Sequence, residues 1–456
     1  MAQDVASQAK RSQETESTAW RLAGTASGFL ADAYDLFAID LVVLILGFLY
    51  GDAVIGADQR SMIVGSMIAG VILGQLSFGF LADQFGRKWT FVLTAALTVC
   101  SALASACCVH RPTSSSFSLP LQLTMCRFCL GLGVGGEYPL VAAVTSETAQ
   151  SVSDRGWYMT LVLSMQGFGM LLSAVIAIVA LHAEAKLEVT WRLLLAFGAL
   201  PSLVAFFLRW HMHESDAYVQ DVGRDASLSS TTATIRRFWR PLVGTACCWL
   251  LNNFSFYSLS SFKSTILTML VPPASGTPAR QDVLSASYMA ALTSGFAIIG
   301  WGIGLLVINK VARFNLQLAG FMCITLLLAV AAVMALTPST PSWLFIMLLG
   351  LMYTFQNCGP NLTTFVLPAE IFPTRVRATC HGISAASGKL GAALGTTGFP
   401  QFEAAYGLPF VFMACSVASL LGAGVTVGFT PKEVQDIKEL EGESAPLADA
   451  IKKDGM

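Results

Sequence analysis

The chain has 456 residues, of which 54% are hydrophobic and only 12% are charged, with a formal net charge of −1. A soluble globular chain is about one-quarter charged, so this composition excludes an ordinary water-facing surface. The first long apolar stretches, residues 28–48 and 61–81, can each cross roughly 30 Å of hydrocarbon. About ten more follow, the last at 411–429, which predicts an all-α protein that spans a lipid bilayer repeatedly.

Basic residues concentrate in alternate connecting loops. These loops contain Arg87 and Lys88, Arg155, the stretch from Arg209 to Arg240, Lys310 and Arg313, and Arg375 and Arg377. Loops rich in Lys and Arg stay on the cytoplasmic side, so we expect these loops and both termini to be cytoplasmic. Residues 1–18 are polar and lack a cleavable signal pattern. We therefore expect the first helix to direct insertion. We also expect the protein to reside in the plasma membrane.

A polar, Ser/Thr-rich stretch separates the sixth and seventh apolar segments and divides the chain in two. The predicted organisation is a cytoplasmic tail (1–21), an N-terminal six-helix bundle (22–210), a cytoplasmic linker (211–240), a C-terminal six-helix bundle (241–430) and a second cytoplasmic tail (431–456).

The two halves show a weak internal repeat. If Glu147 and Glu370 are taken as equivalent, equal offsets pair polar residues that lie inside apolar helices. These pairs are Tyr138 with Asn361 and Gln166 with Lys389. Many transporter folds place one binding site between such repeats, so the matched polar positions predict a single shared central site.

A second repeated element is the loop Gly79-Phe-Leu-Ala-Asp83-Gln-Phe-Gly86-Arg87-Lys88, with a degraded copy at 305–314. Glycine permits a tight turn, while Asp and Arg can bridge neighbouring helix ends. Together with charged residues at the anchor positions, the loop is interpreted as a conformational latch. The latch residues predicted from the sequence are Asp83, Gly86, Arg87, Glu147, Arg155, Glu370 and Arg375.

Ionisable side chains at membrane depth cost several kcal/mol unless they are paired or hydrated, so each is a candidate functional residue. Asp32 and Asp35 fit a proton relay, or a role in lining an entrance or pairing helices. Arg127 lies about three turns before Glu137 on one helix, which is too far for direct pairing. Its partner must come from another helix, either as a structural bridge to Asp32 or Asp35 or as a gating cation that lowers the pKa of those acids.

Trp249, Asn253 and Tyr257 are spaced four residues apart and share one helix face. That face presents an indole N–H, an amide and a phenol. Neutral donors can hold an anion strongly enough to desolvate it and loosely enough to release it, and Lys389 could offset the charge. The alternative is a Trp/Tyr packing stripe, since aromatic residues are common in membrane helices.

Five segments carry a family resemblance, and they stand in order along the chain. They are Ala31-Asp-Ala-Tyr-Asp-Leu-Phe37, Gly135-Gly-Glu-Tyr-Pro139, Gly359-Pro-Asn-Leu-Thr-Thr-Phe365, Pro368-Ala-Glu-Ile-Phe-Pro-Thr-Arg375 and His381-Gly-Ile-Ser-Ala-Ala-Ser-Gly-Lys389. Here the chain resembles the major facilitator superfamily and, within it, the phosphate:proton symporter family. The resemblance implies about twelve helices in two pseudo-symmetric six-helix bundles that alternate access around a midplane site.

The resemblance also implies roles for individual residues. Phosphate contacts fall on Tyr138, Gln166, Trp249, Tyr257 and Asn361, with Lys389 close by. Proton-handling carboxylates fall on Asp32, Asp35 and Glu137, and we add Arg127 to this proton-coupling group as the buried cation expected to face Asp32 or Asp35. Two positions depart from the family, because Glu137 and Asn253 each stand where the family has Asp. An ionised Asp beside phosphate would make binding depend on a proton. We expect Asn253 to weaken that coupling, or to leave it to Glu137 alone, and to bind substrate.

The expected function is import of inorganic phosphate by a secondary active transporter, not an enzyme. We expect protons as the coupling ion, with sodium as the alternative, and arsenate as a phosphate mimic. Rival hypotheses are a transporter of the same fold for an organic anion or a sugar, and a non-transporting phosphate sensor. We expect no nucleic-acid partner and no cofactor. We also expect no metal site, since Cys126-Arg-Phe-Cys129 has metal-ligand spacing but lacks a second cysteine pair.

Overall fold

The computed structural model describes residues 2–110, 118–215, 218–219, 228–261, 279–337 and 341–432. Within these ranges the regular structure is helical. The first half contains α1 (Ala2–Tyr50), α2 (Ala57–Phe85), α3 (Arg87–Ala106), α4 (Leu119–Thr148), α5 (Val152–His182), α6 (Leu187–Phe197) and α7 (Ala199–Trp210). Helices α6 and α7 meet at Gly198 and together form one span, 187–210.

The short helix α8 (Leu228–Arg237) precedes the second half. That half contains α9 (Trp239–Ser261), α10 (Ala279–Val307), α11 (Arg313–Ala335), α12 (Ser342–Cys358), α13 (Pro360–Ile371), a 3-10 turn (Thr374–Val376), α14 (Arg377–Tyr406) and α15 (Leu408–Phe429). Helices α12 and α13 are consecutive and are separated by Gly359, directly before a proline that lacks the N–H a continuous helix would need.

Eight spans are long and apolar enough to cross a membrane, among the residues that the structure describes. Four further helical segments, α1, α9, α12 with α13, and α14, complete two sets of six. Helices α9 and α14 carry polar residues or many small residues, which lowers their apolar content, whereas α12 is apolar but only 17 residues long. The chain is therefore an integral, multi-pass membrane protein.

Packing repeats between the halves. Helix α1 packs on α5 and α7, and its counterpart α9 packs on α14 and α15. The halves meet through two reciprocal pairs, α5 with α10 and α2 with α14. This arrangement places parts of α2, α4, α5, α9, α13 and α14 around one central volume. The face of the bundle where α2 ends and α3 begins is called the latch face below.

Glycines allow the closest helix crossings. Helices α2 and α4 meet at Gly70 and Gly131, where a Cβ on either residue would collide with backbone atoms of the other helix. The glycine-rich run in α4 therefore serves close helix packing. Between the halves, a Cβ on Gly79 would lie 2.7 Å from the carbonyl oxygen of Ala378, so α2 lies directly against α14.

The ends of the first bundle differ from the sequence expectations at two places, the start of α1 and the position of Arg209. Helix α1 begins at Ala2, so the backbone of the region expected as an N-terminal tail continues into the first helix. The expectation that Arg209 lies in a loop is wrong, because it lies in α7 and is completely buried. A buried carboxylate neutralises its charge there. Parts of the predicted linker, 216–217 and 220–227, and most of the predicted C-terminal tail, 433–456, lie outside the described residues.

Candidate functional site

A cavity lies between the two halves and contains all seven residues that the sequence assigned to substrate binding. Its wall comes from α2, α4 and α5 of the first half and from α9, α13 and α14 of the second. The lining residues are Gln75, Tyr138, Leu163, Gln166, Trp249, Asn253, Phe256, Tyr257, Asn361, Phe365, Ala385 and Lys389. The wall thus combines amides, phenols, an indole and one ammonium group with a few apolar side chains.

Lys389 supplies the positive charge of this wall. Its side chain is 3% exposed, and Nζ donates a hydrogen bond to the Tyr257 hydroxyl over 2.7 Å. The same nitrogen lies 4.7 Å from the Tyr257 ring centroid and 5.4 Å from that of Tyr138. Aromatic faces attract a cation without neutralising it. Its aromatic neighbours therefore leave the charge of Lys389 available to an anionic ligand.

Asn361 is held in place by two other asparagines. Asn252 Nδ2 donates to Asn361 Oδ1 over 2.5 Å, and Asn361 Nδ2 donates to Asn357 Oδ1 over 2.9 Å. Asn357 in turn donates to the carbonyl of Tyr353 over 2.7 Å. This chain fixes the orientation of the Asn361 amide. Asn252 and Asn357 were not predicted as site residues, although side-chain amides inside apolar helices are a usable signal.

Trp249 is fixed by rings and by a close helix approach. Its indole meets His381 nearly edge to face, with centroids 5.3 Å apart, and lies 6.3 Å from Phe365. On the α14 side, a Cβ on Gly388 would lie 2.8 Å from Trp249 Cγ. Glycine at position 388 therefore leaves the space that the indole occupies against α14.

Gln75 lines the same cavity and was missed in the sequence. Its side chain is 0% exposed, and neither Oε1 nor Nε2 has a hydrogen-bond partner within the described part of the chain. The close approach of α2 to α14 at Gly382 carries this residue to the site. A buried amide without partners costs free energy, so Gln75 is a group prepared to bond a ligand or water.

A second cavity lies beside the first and contains two of the predicted proton-coupling residues. Its lining residues are Gly28, Asp32, Ala95, Thr98, Glu137, Ser202, Ala205 and Arg209. Glu137 Oε1 accepts from Arg209 Nη1 over 2.5 Å and from the Thr94 hydroxyl over 2.8 Å. Arg209 also donates to the carbonyl of Gly24. The sequence missed Arg209 because it immediately precedes the basic linker.

Asp32 stands electrostatically between the two cavities. It interacts with Glu137 and Arg209 on one side and with Lys389 on the other. Its Oδ2 has no hydrogen-bond partner among the described residues. A change in the charge of Asp32 would therefore alter both the ion pair of the second cavity and the cation of the first.

Arg127 faces Asp35. The two side chains are completely buried and interact electrostatically. The Asp35 carboxylate lies against Gly198, at the junction of α6 and α7. All three guanidinium nitrogens of Arg127 and both Asp35 oxygens are without hydrogen-bond partners in the described ranges. Of the two partners that the sequence left open for Arg127, Asp35 is the acid it faces, and Glu137 is paired with a different arginine.

At the latch face, charged residues of both halves form one buried network. Arg87 binds Asp83 over 2.7 Å and Glu147 over 3.1 Å. Glu147 reaches across to Arg377 over 3.2 Å, and Asp83 accepts from the backbone N–H and the hydroxyl of Thr379, both over 2.6 Å. Asp83, Arg87 and Glu147 belong to the first half, so the network ties the halves together in this conformation.

A second connection involves the other latch residues. Arg313 binds Glu370 over 3.2 Å, and Arg155 interacts electrostatically with the same carboxylate. Arg375 Nη2 lacks a hydrogen-bond partner among the described residues, and Arg377 makes the cross-link to the first half instead. Arg375 lies in the 3-10 turn before α14, whereas Arg377 is the first residue of α14 and is buried.

Gly86 forms the turn of the latch. Its φ of 103° lies in the region that favours glycine, and the turn joins α2 directly to α3. Glu214 accepts from the N–H groups of Arg87 (2.9 Å) and Lys88 (3.2 Å). A carboxylate at a helix N-terminus satisfies unpaired donors and suits the helix dipole.

An apolar cluster lies on the other side of the cavity. Phe256, which lines the cavity, packs with Phe37, Met170 and Tyr353, all of them buried. These side chains come from α1, α5, α9 and α12, and thus from both halves. The cavity is therefore closed by a polar network towards the latch face and by an apolar cluster towards the opposite face.

Comparisons with known proteins identify similar transporters. The family profile described as "Sugar (and other) transporter" matches residues 22–247 and 238–435. The chain is 31% identical to "Inorganic phosphate transporter 1-6" of Oryza sativa subsp. japonica, over 93% of this chain and 92% of that protein. It is 32% identical to "Probable inorganic phosphate transporter 1-7" of Arabidopsis thaliana, over 91% and 90%.

A third relative, "Low affinity inorganic phosphate transporter 1" of Petunia hybrida, is 33% identical over 82% of this chain and 80% of that protein. Among solved structures, the proton:xylose symporter XylE bound to 6-bromo-6-deoxy-D-glucose superposes with a TM-score of 0.77 at 17% identity, covering 94% of this chain and 99% of that one. That likeness concerns the fold. The chain therefore belongs to the sugar (and other) transporter family, which confirms the expected major facilitator fold and identifies a transporter rather than an enzyme.

Proposed function

We propose that the protein carries inorganic phosphate across the membrane by alternating access, coupled to protons. The observation that carries this proposal is the central cavity, in which the seven predicted residues surround a volume whose described lining residues include one cation, Lys389. Relatives named inorganic phosphate transporters, 31–33% identical over most of the chain, support the same substrate.

The chemistry of the wall suits phosphate. Desolvating an anion requires replacing its water hydrogen bonds, and hydrogen bonds to a charged group are each worth about 1.5–3 kcal/mol. Tyr138, Gln166, Trp249 and Asn253 offer neutral donors, and Lys389 offsets charge. A wall with several full charges would hold phosphate too tightly to release it. A single cation among neutral donors permits both binding and release.

The position of Asp32 supports the proposed coupling to protons. When ionised, this carboxylate attracts Lys389 and competes with an incoming anion for its charge. A proton on Asp32 would remove that competition, so the proton and phosphate would favour each other's binding. The ion pair of Glu137 and Arg209 is the second group whose charge balance a proton could change.

Alternating access requires that the two closures open in turn. The latch network would open the cavity towards the cytoplasm, and the apolar cluster around Phe256 would open it to the opposite side. In this proposal both termini and the latch face are cytoplasmic, because the loops of that face are rich in Lys and Arg. Residence in the plasma membrane would make this transport an uptake of external phosphate.

The test is counterflow of labelled phosphate into proteoliposomes loaded with unlabelled phosphate. We expect accumulation of label that unlabelled phosphate and arsenate abolish, and that a sugar or a dicarboxylate leaves unchanged. A sensor would bind phosphate without counterflow. Stronger competition from a sugar or a dicarboxylate than from phosphate would overturn the substrate assignment.

A further inference from the structure

The wall of the central cavity contains no carboxylate among its described lining residues. The carboxylates predicted to handle protons, Asp32 and Glu137, line the neighbouring cavity instead. Resting on the proposed phosphate function, we propose that this cavity also binds sulfate, and that Asn253 is the residue that admits it.

Phosphate and sulfate differ in protonation more than in shape. Both are tetrahedral oxyanions of nearly equal size, so the dimensions of a cavity separate them poorly. At neutral pH phosphate keeps at least one proton, whereas sulfate keeps none. A carboxylate that faces the ligand accepts a hydrogen bond from P–OH and repels the bare oxygens of sulfate. Rejection of a competitor by such an unpaired charge is a common source of specificity.

This chain has an amide at the position where such a carboxylate would act. Asn253 lines the cavity one helical turn beyond Trp249 and one turn before Tyr257. A side-chain amide can turn its NH₂ group towards a bare oxygen or its carbonyl towards a P–OH group. The residue therefore serves both ligands and excludes neither.

The other polar groups of the wall do not restore the discrimination. Trp249 and Lys389 only donate, and the hydroxyls of Tyr138 and Tyr257 can turn to donate. Gln75 adds a completely buried amide with both ends unpartnered in the described chain, which can again bond either anion. The wall is rich in donors and carries one cation, which is the chemistry that a fully deprotonated tetrahedral anion requires.

The experiment measures inhibition of labelled-phosphate counterflow by unlabelled sulfate and by unlabelled phosphate at neutral pH. For the native protein we expect the two inhibition constants to agree within about tenfold. In Asn253→Asp the sulfate-to-phosphate ratio should rise by about 10- to 100-fold, the value of one lost charge-assisted hydrogen bond. In Asn253→Ala, which removes the amide without adding charge, both anions should weaken and the ratio should stay within about threefold.

Two results would overturn the inference. In the first, a hundredfold excess of sulfate leaves counterflow by the native protein unchanged, while unlabelled phosphate abolishes it. That result would refute sulfate binding but leave the phosphate function intact. The other is a ratio that Asn253→Asp does not change. If counterflow is absent altogether, thermal unfolding in detergent still tests binding. Sulfate should raise the unfolding temperature of the native protein above chloride at equal ionic strength. An equal rise in Asn253→Asp would signify general salt stabilisation and refute the site.

Discussion

Breaking the ion pair between Glu137 and Arg209 on one side only is expected to destabilise the first bundle strongly. Its nitrogen and oxygen lie 2.5 Å apart, and neither side chain is more than 2% exposed. Removing one partner of a fully buried pair strands the other charge and costs about 3–5 kcal/mol. A typical protein has only about 5–15 kcal/mol of stability in total. Arg209→Met should therefore lower the unfolding temperature in mild detergent by a large margin.

A surface pair provides the matched comparison. Arg60 binds Asp52 over 3.1 Å, but the Asp52 side chain is 89% exposed, and exposed pairs contribute at most about 1 kcal/mol. Arg60→Met should change the unfolding temperature little. Adding Glu137→Gln to Arg209→Met removes both charges and should recover much of the loss, as a positive coupling in a double-mutant cycle. If Arg209→Met lowers the unfolding temperature no more than Arg60→Met does, the buried ion pair does not have the predicted effect on stability.

Three further predictions concern the cavity and the latch. Gln75→Met keeps the volume but removes both polar ends, so the KM for phosphate should rise about tenfold with normal folding; an unchanged KM would show that the amide faces no ligand. The added methyl group of Gly388→Ala would collide with the indole of Trp249, so this variant should bind phosphate more weakly. Gly302→Ala is the control and should be neutral, because its Cβ would meet nothing within 4 Å. Equal effects of the two substitutions on phosphate binding would contradict this prediction. Thr379→Val removes a hydroxyl that donates to the latch aspartate over 2.6 Å, and should increase labelling of latch-face cysteines introduced into a cysteine-free background; unchanged labelling would place the closure elsewhere.

Residues that the internal repeat identified were the easiest to locate from sequence. Gln166 and Lys389 occupy equivalent positions in the two halves, and both line the central cavity. Equal offsets in a repeat correspond to matched positions about a pseudo-two-fold axis, so a sequence pattern reports spatial proximity. The position of the latch followed similarly, because turn glycines and alternating charges mark helix ends directly.

Partners that depend on how helices approach one another were harder to predict. Arg209 looked like a loop residue because charge pattern alone does not reveal that α7 turns it towards Glu137. Gln75 entered the site only because α2 lies directly against α14. The choice of Arg377 over Arg375 depended on a three-residue 3-10 turn, which changes the direction of a side chain without changing the composition of the segment.

Phosphate transport through the central cavity is tested by uptake of labelled phosphate into proteoliposomes with and without an inward proton gradient, comparing the native chain with Asn253→Asp. We expect phosphate uptake by both proteins, with a stronger dependence on the gradient in the variant, because a carboxylate beside phosphate must be protonated before the anion binds. Replacing sodium with potassium should change neither. Failure of both proteins to move phosphate in either direction would contradict the central claim that this cavity is a phosphate transport site.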